Sequence, residues 1–459
     1  MLLANLVADP GNWLDTGDNA WQLTAATLVG LMSVPGLAIL YAGIMKRKWA
    51  VNSAMMVLYA FAMTLIVWTL FAYDMSFGHP MIGHVVGLPG TVLSANSLET
   101  QAQIPLLNGL MPPLRFPLSS MVYFQFVFAA ITVIILAGSL LGRISFKAWA
   151  LLVPLWITLV YSVGAFSIWG GGWLSQMGAV DFSGGYVIHV AAAVSGFTAA
   201  AVIGPRLLRD RQHTSPSNLI MAVAGGGLLW LGWSGFNGGD TYFANPDAAA
   251  AILNTHLCTA TALCTWVMWD ALRFKKVSVA GAINGMVAGL VAITPGAGYI
   301  DGYAALALGV LAGTLPWITI NLAPKFALFR RVDDTLGVIH THGVAGALGG
   351  LFVGVMADPN MIVYYGPKGT ATGASAITGL WYGHPQQLMY QFVALVFIIG
   401  YDAVATFIIV KLIGLVVPLR APDAHLEAGD QLIHGEVAVD LEPYPGAPHL
   451  PVPAVAGAT

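Results

Sequence analysis

Charge is what this sequence has least of: only 8% of its 459 residues are Asp, Glu, Lys or Arg. A soluble domain carries roughly 25% charged residues to cover its surface, so a water-bathed globular protein is excluded. The 18 basic and 21 acidic residues sit mainly in loops and tails. No basic face for nucleic acid results. Cysteine is nearly absent, with Cys258 and Cys264 alone. Six residues apart on one helix, they are separated by about 9 Å of rise and cannot form a disulfide with each other; they read as small packing residues. No Cys-x-x-Cys-His run occurs for haem attachment, and no metal or other cofactor is expected. Met1 to Ala20 lacks a basic start followed by a long apolar run, so no signal peptide is expected there.

What is abundant is apolar: 57% of the residues, with a mean hydropathy of +0.76. Windows of about 20 apolar residues predict about eleven spans, at 22–45, 50–73, 118–141, 146–167, 184–203, 217–237, 247–272, 278–294, 298–321, 335–357 and 386–418. The basic residues orient them. Lys46, Arg47, Lys48, Arg143, Lys147, Arg206, Arg209, Arg211, Arg273, Lys275, Lys276, Lys325, Arg330, Arg331, Lys411 and Arg420 all fall on one side. Only Arg115 and Lys368 fall on the other. The positive-inside tendency then places the N-terminus outside and the C-terminus in the cytoplasm. The expected fold is an all-α polytopic membrane protein, with a membrane domain over 1–420 and a cytoplasmic tail over 421–459. The tail is Pro-rich from Pro443 to Pro453 and expected to be disordered. Many of the 53 glycines lie inside spans, where small residues let helices approach closely in lipid. Two long outer loops are expected, at 74–117 and 358–385.

Two histidines, His189 and His342, lie inside apolar spans, where an imidazole is costly unless it faces a cavity or a partner. Asp181 precedes the first by eight residues and Asp334 precedes the second by eight. The spans that hold them run in opposite directions, as in inverted repeats that place a transport site at mid-membrane. Entering from opposite faces, the two imidazoles can meet, and a neutral pair can share one hydrogen bond while still offering a donor and an acceptor. Asp181 reads either as a cap on the helix that carries His189 or as a cation contact. Phe124, Phe128, Trp169, Trp233 and Phe236 share one depth near the outer face. They read as an interface belt or, with Asp240 beside them, as a mouth whose ring faces attract a small cation by about 0.5–2 kcal/mol each.

These residues resemble the ammonium transporter (Amt/Mep/Rh) family, in its bacterial or archaeal Amt type. The resemblance spans residues 20–440. It rests on Val34-Pro35-Gly36 with Tyr41-Ala42-Gly43, Trp169 to Gly172, Asp181 to Gly185 with His189, Gly232 to Gly239, Asn284-Gly285 with Ala292 to Pro295, and His342-Gly343-Val344. It implies a non-enzymatic homotrimer in the cell (inner) membrane, with one conduction path for ammonium or ammonia, and for methylammonium, per subunit. The spans would then form an inverted 5+5 repeat plus a long final helix. Phe128, Trp169 and Phe236, with Phe124, Trp233 and Asp240 nearby, would recruit the cation; Phe128 and Phe236 would gate it. His189 and His342 would be twin pore histidines, with Asp181 a supporting acid. Gly429 to Glu436 resembles the family's tail, and a PII-type regulatory protein would be a partner by analogy. Two departures stand out: Asp240 replaces a common serine, and His340 is added where an acid is usual before the second histidine. His340 points roughly 200° around a helix from His342, so it need not line the same pore. Alternatives from other classes are an ammonium sensor with little transport, a Rh-type gas channel and a histidine-ligated haem protein.

Overall fold

A computed structural model describes residues 11–439 except 109–110, 214, 323–326 and 362–376. The Pro-rich end of the tail and most of the loop over 358–385 therefore lie outside the described residues. Among those described, ten helices are long and apolar enough to cross a membrane: α1 (Thr16–Ile44), α2 (Arg47–Phe77), α3 (Leu118–Leu140), α4 (Phe146–Met177), α5 (Gly185–Ile203), α6 (Leu219–Gly239), α7 (Pro246–Phe274), α9 (Gly302–Leu322), α10 (Ile339–Met356) and α11 (Gln386–Gly414). The protein is a multi-pass, mostly helical membrane protein.

The expected eighth span, 278–294, holds a shorter helix than the other ten. Its helix, α8 (Val279–Ile293), has 15 residues, about 22 Å at the α-helical rise, short of the roughly 30 Å hydrocarbon core. It stops because Thr294-Pro295-Gly296 leaves the helix. The loop before α5 takes up the carbonyls freed there: Phe182 N–H donates to Pro295 O at 3.1 Å and Ser183 N–H to Thr294 O at 3.1 Å. The end of α8 is thereby tied to the start of α5, where the candidate site lies. The loop over 74–117 also holds a small antiparallel pair, β1 (Pro80–Ile82) with β2 (Val86–Gly87).

α3 is buried along nearly its whole length, as an all-round apolar helix must be, and α1, α2 and α5 pack against it. α1 packs on α6, α7 on α8 and α9, and α5 on α3, α10 and α11. Outward faces remain apolar and exposed, for example at Leu58, Ile66, Ile220, Leu231, Leu253 and Phe392, the surface that hydrocarbon covers. Cys258 is buried as expected, but Cys264 is exposed on the flank of α7. Charged groups collect at two ends. At one, Lys46 and Lys48 pair with Asp210, and Arg206 with Asp333. The tail joins the same end, where Asp430 accepts Val51 N–H and Asn52 N–H at 2.8 Å each and Lys48 Nζ donates to Leu426 O at 2.7 Å. At the other end Arg115 pairs with Asp15 and Asp18.

α5 and α10 approach unusually closely. A Cβ on Gly346 would lie 2.6 Å from Gly185 O and 3.3 Å from the His189 Cβ. Gly346→Ala must push α10 away from the start of α5, at a cost of about 1–3 kcal/mol. A lowered melting temperature is expected; a protein that melts as the wild type does would show that the approach is not needed.

Candidate functional site

Both histidines stand on wide π-helical turns, Gly185–Val190 opening α5 and Ile339–Val344 opening α10. Such turns leave backbone groups out of the regular ladder and recur at functional sites. The turn under His189 is held by Asp181, whose carboxylate accepts four backbone N–H groups: Gly184 at 3.2 Å, Gly185 at 2.6 Å, Tyr186 at 2.8 Å and Val187 at 3.0 Å. Of the two readings of Asp181, the geometry realises the cap. Asp334 holds the second turn more lightly, through one bond from Ile339 N–H at 2.8 Å.

The two imidazoles meet. His189 Nδ1 and His342 Nδ1 are 3.2 Å apart, with ring centroids at 5.3 Å. One Nδ1 must carry the proton and the other accept it. In a neutral pair the first ring then keeps a bare Nε2 and the second a protonated one. His189 Nε2 is buried without a partner, so one hydrogen-bonding position of this donor–acceptor edge is unfilled.

Above the pair, the aromatic residues form a stack. Phe236 lies 6.0 Å from His189 and nearly parallel to it; Phe128 stacks on Phe236 at 4.4 Å. Trp169 meets Phe128 edge-on at 6.3 Å, and Phe124 lies 4.7 Å from Phe128. Trp233 stacks on His189 at 5.6 Å and donates to Thr294 Oγ1 at 2.9 Å. Phe124, Phe128, Trp233 and Phe236 are all wholly buried, so they are not an interface belt.

A cavity of about 50 Å³ lies over the stack, lined among others by Trp169, Asp181, Phe182, Asp240, Tyr242 and Tyr299. That is room for one or two particles the size of water, at about 30 Å³ each. Trp169 is fixed there by donating to Asp181 O at 2.7 Å. Asp240 is not an open lip, as the sequence led one to expect, but 3% exposed. It accepts from Ser183 Oγ, which also reaches Phe236 O at 2.9 Å.

Sequence reasoning passed over Ser183 and Thr294 as chemistry, although both lie in its motif stretches. It passed over Tyr242 and Tyr299 entirely, since a lone tyrosine at a loop edge carries no periodic signal. His340 turns away from the pair and lines a separate cavity at the basic end. Among the described residues no three His, Cys, Asp or Glu side chains are placed to hold a metal ion.

Residues 20–439 match the Ammonium Transporter Family. Among similar proteins, "Ammonium transporter 3 member 2" of Oryza sativa subsp. japonica is 50% identical over 95% of this chain and 92% of its own length. "Ammonium transporter 2" of Arabidopsis thaliana is 50% identical over 94% and 89%. The crystal structure of Saccharomyces cerevisiae Mep2 superposes with a TM-score of 0.77 at 27% identity, covering 91% of this chain and 93% of that one. The "Sensor Amt Protein", at 24% identity and a TM-score of 0.78, shares the fold. With a family match across nearly the whole chain, a half-identical sequence and a common fold, this protein belongs to the ammonium transporter family.

Proposed function

We propose that this chain carries ammonium across a cell membrane as ammonia, with the basic end and the tail in the cytoplasm. The observation that carries the reading is the contact of His189 with His342 directly beneath the Phe128–Phe236 stack. Ammonium and potassium are alike in charge and size, but only ammonium donates hydrogen bonds and can lose a proton. The small outer cavity gathers the cation against the ring of Trp169 and the carboxyl of Asp240, just above Phe128. Past Phe128 and Phe236 the surroundings are apolar, and a bare ion is heavily penalised there. Ammonium gives up its proton above the stack to the carboxylate of Asp240, which lines the cavity. Ammonia moves on along the donor–acceptor edge of the two imidazoles, and the proton crosses by a separate route, so that net charge is carried. Asp181 acts by holding the turn that carries His189. Methylammonium, with one bulkier group, uses the same route.

The inverted relation of α5 and α10, each starting with an acid eight residues before its histidine, supports an inverted-repeat membrane domain over 1–420 with a tail over 421–459. The exposed apolar flanks suit both lipid and a homotrimeric arrangement. The basic end offers a docking face for a PII-type regulator.

The test is ammonium-evoked current, with potassium as competitor, in vesicles bearing the wild type, His189→Ala or His342→Ala. Each variant is expected to lose most of the current or to admit potassium. Unchanged current with potassium still excluded in both variants removes the pair from the mechanism.

A further inference from the structure

A second chamber lies at the basic end, with a volume of about 700 Å³. Its charged lining is Lys46, Arg206, Asp210, Asp333 and Asp334, three acids against two bases. The bases are already engaged. Arg206 grips Asp333 through Nη2 at 2.8 Å and Nε at 3.0 Å, and burial of Asp333 is outweighed by this pairing, which holds its carboxyl below the usual range. Lys46, with Lys48 behind it, holds Asp210. Arg143 approaches from the end of α3, but it donates to Thr335 Oγ1 at 2.6 Å, to Ser139 O at 2.8 Å and to Asp333 O rather than to Asp334. The acid left over is Asp334. One oxygen caps α10, and the other, Oδ1, is buried with no partner. Asp181, its counterpart on the opposite side, has both oxygens filled.

His340 lines the same chamber. It is 8% exposed, its Nδ1 is enclosed without a partner, and its ring lies 5.5 Å from that of Phe329, which also lines the chamber. A neutral imidazole always keeps one acceptor nitrogen. His340, Asp334 and Phe329 thus bring an imidazole nitrogen, an unfilled carboxylate oxygen and an aromatic ring to one chamber, and Asp334 is the lining carboxylate that, among the described residues, no base grips. A small cation with several N–H donors satisfies all three, whereas potassium has no hydrogen to give to the imidazole.

We propose that His340, Asp334 and Phe329 form a second cation site, which binds ammonium or methylammonium on the basic side of the histidine pair. This rests on the transport reading above and adds a product site to it: ammonia that has passed His342 takes up a proton from the chamber water and is held there as ammonium before release. Ammonium already present on that side occupies the site and slows the arrival of more.

The test uses the full-length protein in vesicles oriented with the tail inside. Ammonium-evoked current is recorded against rising internal ammonium for the wild type, His340→Ala and His340→Asn, each checked for an unchanged size-exclusion profile. His340→Ala is expected to raise the internal concentration that halves the current by about fivefold or more, leaving half-saturation by external ammonium unchanged. His340→Asn, which keeps an acceptor, should restore part of the sensitivity. A misfolded or merely loosened variant would lose current without moving the internal dose dependence alone. Identical internal dependence in wild type and His340→Ala, with normal current in both, overturns the site and leaves the transport reading standing. Absence of current from the wild type overturns both.

Discussion

Asp181→Ala is expected to abolish the ammonium current and to lower stability by about 3–5 kcal/mol, because several buried N–H donors lose their common acceptor at once. The size of the effect follows from the number of groups that depend on this one carboxylate. Four N–H groups at the start of α5 end on it, and in a low-dielectric interior each one left unsatisfied costs about 1–3 kcal/mol. The alternative is to unwind the turn, which moves His189 out of reach of His342. Trp169 is displaced too, because its Nε1 donates to the carbonyl of the same residue. Asp181→Asn should be milder, since one amide oxygen can still accept. Melting temperature in detergent and current in vesicles check both claims. An alanine variant that melts and conducts as the wild type does would remove the cap from the account.

Phe236→Ala should be nearly as damaging. The ring is wholly buried and lies between Phe128 and His189, with Trp233 at 4.9 Å. Removing it leaves a cavity worth about 3–5 kcal/mol in a packed interior, at the point where charge must be shed. Losing the dry barrier at this point is expected to cut ammonium current roughly tenfold or more. The void also gives a hydrated ion a way in, so potassium should begin to compete. The measurement is current under mixed ammonium and potassium. Retained current with retained exclusion of potassium would show that Phe128 alone forms the barrier.

Much of this was legible in the order of residues. Scarcity of charge, apolar windows and the grouping of Lys46, Arg206 and Arg420 specified a polytopic helical protein, because transfer of charge into hydrocarbon is penalised at every position of a span. The equal spacing of Asp181 to His189 and Asp334 to His342 singled out the pair, and the motif stretches around them carried the family. Tertiary structure alone decided how far each helix runs and who faces whom. The sequence of α8 is apolar enough to span, yet the helix ends where Phe182 and Ser183 take its carbonyls, a contact from a distant segment. Asp240 reads as an acid at a mouth, and only the packing buries it against Ser183. Asp181 and Asp334 look equivalent in the chain. Four donors converge on one and one donor on the other, so one acid is spent as a cap while its counterpart, which lines a cavity with His340, keeps an oxygen unfilled. Local pattern sets which groups must leave water or avoid it; the assembled bundle sets which of them find a partner.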